Sequence, residues 1–114
     1  MVAEKTIFIK TFGDIPFVRV LDFLMCEGLY FEYSLSDMAE YSGVSWSTLH
    51  QILPKLVDLN LIEQTRTVGR AKLFKTNKAS PIIKKLVELD LAISAFYGRP
   101  LAVKIQRQAR KVKH

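Results

Sequence analysis

A mainly α-helical domain carrying one small β-hairpin, with elements in the order helix, strand, helix, helix, hairpin, helix, is the fold class this sequence predicts. Three observations predict it. Apolar residues recur at helical spacing in several separate stretches; two short stretches each open on a serine able to cap a helix and meet at Gly43; and two alternating stretches flank TVGR, the pattern of a hairpin.

Taken in order, residues 1–12 read as an N-terminal extended arm, although its TIFIKTF segment is apolar enough to cover a helix elsewhere. Asp14 and Pro16 precede FVRVLDFLMCEG, in which Phe17, Leu21 and Leu24 fall at i, i+4 and i+7 and Gly28 supplies a stop. This predicts a first helix with Asp14 near its N-cap and Pro16 in its first turn. LYFEYS reads as a short extended segment. Ser34 then caps a helix with Asp37 three residues on, and Leu35, Met38 and Ala39 form its apolar side until Gly43 ends it. Ser45 caps the next helix, residues 45–59, with the stripe Leu49, Ile52, Leu53, Leu56 and Leu59. LIEQTR and AKLFK, joined through Gly69, predict a hairpin over 61–75. Ser80 and Pro81 open a last helix that runs to about Phe96.

Composition bounds the function. The chain has 114 residues, 49% hydrophobic and 25% charged, which suits one globular domain with a real core. No apolar run approaches the roughly 20 residues of a membrane span, and no signal peptide is visible, so a cytoplasmic protein is expected. Cys26, the single cysteine, has no partner for a disulfide, and two histidines are too few for a Cys/His metal site. It reads as a small apolar residue near a helix end. No paired carboxylates, phosphate loop or nucleophile with a nearby base stands out, so neither an enzyme nor a cofactor is expected.

Charge is distributed unevenly. Residues 1–59 carry four Lys/Arg against eight Asp/Glu, and residues 60–114 carry thirteen against three. A second half of net +10 points to a polyanion, nucleic acid before membrane.

The two short helices have a specific spacing: Ala39, then Gly43, Leu49 and Ile52. A small residue suits a close helix crossing, and glycine suits a reversal with positive φ. With the hairpin that follows, this pattern looks like a winged helix-turn-helix. The stretch from SLSDMAEYSGVSWSTLHQ through VGRAKLFKTN resembles the small winged helix-turn-helix transcriptional regulators common in archaea, over roughly residues 12 to 96. The resemblance implies a usually dimeric regulator of double-stranded DNA, with the second motif helix in the major groove and the wing on the backbone or minor groove. It divides the chain into the arm, a DNA-binding domain over 13–79, a dimerisation helix over 80–97 and a basic tail over 98–114.

On that pattern the groove-facing residues are Ser45, Ser47, His50 and Gln51, the wing residues are Arg66, Arg70 and Lys72, and Trp46 and Lys55 are further candidate DNA contacts, Lys55 directed toward the backbone. Gln51 can pair bidentately with adenine, and His50 can donate to a guanine or a phosphate. Trp46 stands where the family often has a basic residue; packing at the domain edge, contact with a sugar or thymine methyl, and a protein interface are all open to it. Pro54 removes a backbone donor and costs roughly 3 kcal/mol in an undistorted helix interior, which predicts a bend.

The last helix carries two apolar rows. Ile82, Leu86, Leu89, Ile93 and Phe96 alternate steps of four and three beside Ile83, Val87 and Leu91, which predicts a homodimer through the first row. The tail, with Leu101, Val103 and Ile105 among its cations, can bind phosphates, join the dimer or stay disordered. A small effector could bind at such an interface, but no residue pattern names one. Two functions follow: a sequence-specific transcription regulator, or a winged-helix adaptor that binds protein, or nucleic acid non-specifically, in replication or chromatin assemblies. The cationic wing favours the first; the cation-poor helix and Trp46 favour the second.

Overall fold

The computed structural model of the chain describes residues 5–97. The predicted tail, 98–114, lies outside the described residues. Among the described residues, five α-helices, α1 (Ile7–Phe12), α2 (Pro16–Met25), α3 (Leu35–Ser42), α4 (Trp46–Asp58) and α5 (Pro81–Tyr97), accompany a largely exposed sheet of β1 (Tyr33–Ser34), β2 (Ile62–Val68) and β3 (Ala71–Thr76). A 3-10 turn over Glu27–Leu29 joins α2 to β1. The sheet is antiparallel in the order β1-β3-β2, so the short strand closes one side of the wing. This is the winged helix-turn-helix arrangement.

The amino-terminal segment corrects the expected extended arm. Residues 7–12 are helical because Thr6 caps them, its hydroxyl accepting the Ile9 amide at 3.2 Å, and because Phe8 and Ile9 bury against Val18 and Met25. Asp14 lies near the N-cap of α2, as expected, with Ile15 at the cap itself; the Asp14 carboxylate grips the Arg19 guanidinium through both oxygens and lies 3.2 Å from Lys5 Nζ. That pairing, Arg19 first, holds its carboxyl below the usual carboxylate range.

The core lies where α2, α3, α4 and α5 meet over the sheet. Val20, Leu24, Leu49 and Leu56 are completely enclosed, with Met38, Leu61 and Ile83 nearly so. Leu49 and Leu56, two turns apart, set α4 against this core, while Leu59, expected in the same stripe, lies at the C-cap and is exposed. Continuous helix runs through Pro54, which is exposed.

Local signals behave as their chemistry requires. Ser34 accepts the Asp37 amide at 3.2 Å and Ser45 the Thr48 amide at 3.1 Å, each satisfying a donor the helix start would leave unpaired. Gly43 turns left-handed at φ 77°, and its amide and that of Val44 both reach the Ala39 carbonyl, which closes the helix-turn-helix reversal. Gly69 has φ 61° at the first of two residues linking Val68 to Ala71. Glycine belongs there because a two-residue hairpin turn needs a positive φ to match the strand twist.

Two features had no sequence signal. The register slips between Gln64 and Arg66, so Thr65 bulges and its hydroxyl donates to the Leu73 carbonyl at 3.3 Å. Asn60 is left-handed at φ 58°; its carbonyl accepts from Asn77 Nδ2 at 3.1 Å, and Asn77 N–H reaches the Leu61 carbonyl at 2.9 Å. Those bonds tie the end of α4 to the exit of the wing.

Along α5 the two predicted rows are shared differently. Ile83 is buried and Leu86 and Val87 pack against the core and α1, whereas Ile82, Leu89 and Leu91 are exposed. Leu86 is therefore an inward residue, not an outer one, while Ile93 is half-buried and Phe96 exposed. Cys26 sits at the C-cap of α2 with an exposed edge. Desolvation, aided by Asp22, Asp90 and Glu27, pushes its thiol up to about 11, so it stays protonated and unreactive at neutral pH.

Candidate nucleic-acid interface

One cleft of about 280 Å³ gathers Trp46 and His50 from α4, Arg70, Ala71 and Lys72 from the wing, and Ser34, Leu35 and Ser36 from the start of α3. Four of the nine residues predicted to meet DNA thus come together. The α3 residues carry only a helix-start signal in the sequence. Their place beside the wing depends on the β1–β3 pairing, with Ser34 opposite Leu73, and no short-range pattern announces it.

Trp46 and His50, at i and i+4, form a stacked pair. Their ring centroids are 3.5 Å apart at a 32° tilt, and His50 Nδ1 lies 2.9 Å from the Trp46 carbonyl oxygen. Since a carbonyl can only accept, Nδ1 donates in this bond, and Nε2 is the ring nitrogen left for a base edge or a phosphate. Trp46 keeps 56% of its surface exposed despite the stack. The spacing alone could have announced the pair, because side chains four apart on a helix are neighbours.

The other helix residues divide. Ser45 is spent on capping, since its hydroxyl accepts the Thr48 amide and donates to Thr48 Oγ1 at 2.7 Å. Ser47 and Gln51 are exposed on the following turn positions. Lys55 turns away: its Nζ lies 4.9 Å from the Phe17 ring centroid, a cation–π contact that joins α4 to α2. It does not point along the expected route to the backbone.

On the wing, Arg70 and Lys72 are exposed, but Arg66 is not an independent cation. Its Nε donates to Glu32 Oε2 at 2.8 Å, and that guanidinium holds the Glu32 carboxyl below the usual range. The partners lie 34 residues apart, so no sequence pattern pairs them. What the cleft offers an anion is therefore Arg70, Lys72 and the amino end of α3, where backbone amides carry partial positive charge. Beside it, α4 offers a flat aromatic surface and two polar side chains.

Among the described residues no group of His, Cys, Asp and Glu could hold a metal ion, and no helix is long and apolar enough to cross a membrane. The arrangement defines a winged helix-turn-helix whose second motif helix and wing flank one cationic cleft. No protein-family model matches the sequence, and no curated protein matches it. Among solved structures the chain is similar to a MarR family regulator from Neisseria meningitidis, at 16% identity and a TM-score of 0.46, covering 91% of this chain and 75% of that one.

Proposed function

We propose that this chain is a sequence-specific regulator of transcription that binds double-stranded DNA as a homodimer inside the cell, with α4 in the major groove and the wing against the backbone or minor groove. The observation that carries the reading is the shared cleft. It places the Arg70 and Lys72 cations beside the exposed amino-terminal turns of α4, so phosphate contact and base contact can be made from one docked position. Gln51 and His50 meet base edges, and Trp46 offers an apolar face to a sugar or a thymine methyl. Arg70 at the hairpin tip meets phosphates or a narrow minor groove.

Selection of bound fragments from genomic DNA tests this. The expected result is a shared palindrome with half-sites about one helical turn, roughly 10 base pairs, apart or a multiple of that. Fragments with no common sequence would favour the adaptor reading, to which the exposed Trp46–His50 pair also lends support.

Dimerisation rests on α5. Ile82 and Leu89 are seven residues apart, 42% and 43% exposed, on the side of the helix away from Ile83 and Val87. Apolar residues at a heptad interval suit a partner helix. Because Leu89 lies outside the core, Leu89→Glu is expected to leave the fold intact and shift the protein from dimer to monomer in light scattering. A wild-type chain that is monomeric at micromolar concentration would remove the dimer from the proposal.

A further inference from the structure

Opposite in charge to the wing tip, the face formed by the segment before β1, by β1 itself and by α3 exposes aromatic rings among carboxylates. Phe31 and Tyr41 keep 61% and 57% of their surface exposed, and both pack edge-on against Tyr33, at 6.5 and 5.6 Å between ring centroids. Tyr33 in turn stands edge-on to the buried Phe23 at 4.9 Å, which seats the exposed rings on the core. An aromatic surface held ready in this way loses little conformational entropy when it is covered.

Charge decides what suits it. The Tyr33 hydroxyl donates to Glu27 Oε2 at 3.2 Å, and burial, with Glu27, Tyr41 and Asp37 close by, pushes the phenol up. Asp37 and Glu40 stand exposed one turn apart on α3, and none of Glu27, Asp37 and Glu40 is in an ion pair among the described residues. Carboxylates repel a phosphate, so nucleic acid does not suit this face. Ammonium and guanidinium groups do, because they pair with carboxylates and also rest on aromatic rings.

We infer that the basic segment 98–114 of the same chain docks on this face, its cations among Glu27, Asp37 and Glu40 and its apolar residues against Phe31 and Tyr41. That segment carries six Lys/Arg and no Asp/Glu, with Leu101, Val103 and Ile105 between them, the complement of a surface that is aromatic and acidic. Reach suffices as well. The segment before β1 adjoins the start of α5, since Tyr30 and Ile83 line one groove. The 17 residues of α5 carry the chain about 25 Å from there, and the 17 residues after Tyr97 can span roughly 55 Å when extended. Held on this face, the tail keeps its cations from phosphates until a stronger anion displaces it. The inference stands apart from the DNA-binding reading, because the occupant is recognised by charge and rings alone.

The test compares amide NMR spectra of the full chain with those of a full-length variant whose tail charge is reversed, Arg107→Glu with Arg110→Glu, Lys111→Glu and Lys113→Glu. The signals of Phe31, Tyr33, Asp37 and Tyr41 are expected to shift, while those of Leu49 and Ile83 in the core stay in place. Conversely, Glu40→Gln with Tyr41→Ser, both at exposed positions, should move the signals of residues 107–113. No shift in either direction would overturn the inference and leave the face to a basic segment of another protein; a shift confined to α4 or the wing would overturn it too. Mixing the isotope-labelled tail variant with unlabelled wild-type chain separates the remaining occupant. Its signals should stay where they are, and their return to the wild-type positions would show that a second copy's tail, not the chain's own, covers the rings.

Discussion

Gly28→Ala is expected to lower the unfolding free energy by about 2 to 4 kcal/mol, the combined effect of overpacking and of a lost buried hydrogen bond. A Cβ at this position would overlap Thr76 Oγ1, and the hydroxyl cannot retreat: Thr76 is 1% exposed and donates to the Leu24 carbonyl at 2.6 Å. On the far side, the Phe23 carbonyl and a Leu24 methyl already stand 3.4 and 3.5 Å from the added carbon. The contact matters beyond its own energy because it joins the end of α2 to the root of the wing. Urea unfolding should show a lower midpoint with an unchanged slope, which separates lost stability from a changed denatured state. A midpoint equal to that of the wild type would mean that β3 can shift freely, and the wing would then not be rigidly seated.

Affinity for duplex DNA is expected to fall by about a thousandfold between 50 and 200 mM salt if a dimer neutralises roughly six phosphates, each contributing a slope near −0.9 in log affinity against log salt. The physical basis is the second half of the chain, net +10, and its display of Arg70 and Lys72 beside the cleft. Arg66 contributes less than its charge suggests, because Glu32 already compensates it. Glu32→Gln should therefore steepen the slope slightly and strengthen binding at low salt. A flat salt response would show that the wing does not meet phosphates.

Much of the fold was legible because its signals are local. Ser34, Ser45 and Ser80 cap helices through bonds that span three residues, Gly43 and Gly69 take positive φ within single turns, and the Leu49 and Leu56 stripe follows helical period. What escaped was either non-local or a competition between partners. Residues 7–12 lack a strong helical pattern of their own and become helical through packing on α2 and α5. The Arg66–Glu32 pair, the Lys55–Phe17 contact and the Asn60–Asn77 bond each join segments remote in sequence, and each redirects a side chain that composition alone would give to a ligand or to solvent. The candidate interface was half legible for the same reason. Its helix and hairpin tip could be placed by pattern, whereas the meeting of Trp46, His50, Arg70 and Lys72 with the start of α3 depends on how β1 pairs with β3.

The central claim is that α4 reads sequence while the wing supplies affinity, and the most direct test compares the Gln51→Ala, His50→Ala double variant with Arg70→Ala on a library of selected DNA sites. The double variant is expected to lose preference at one position of each half-site, at about 1 to 3 kcal/mol against the preferred base, whereas Arg70→Ala should weaken all sequences nearly evenly. If the double variant instead keeps full affinity and an unchanged preference, α4 is not the reader, and the exposed Trp46 face becomes the surface through which the domain meets a protein partner.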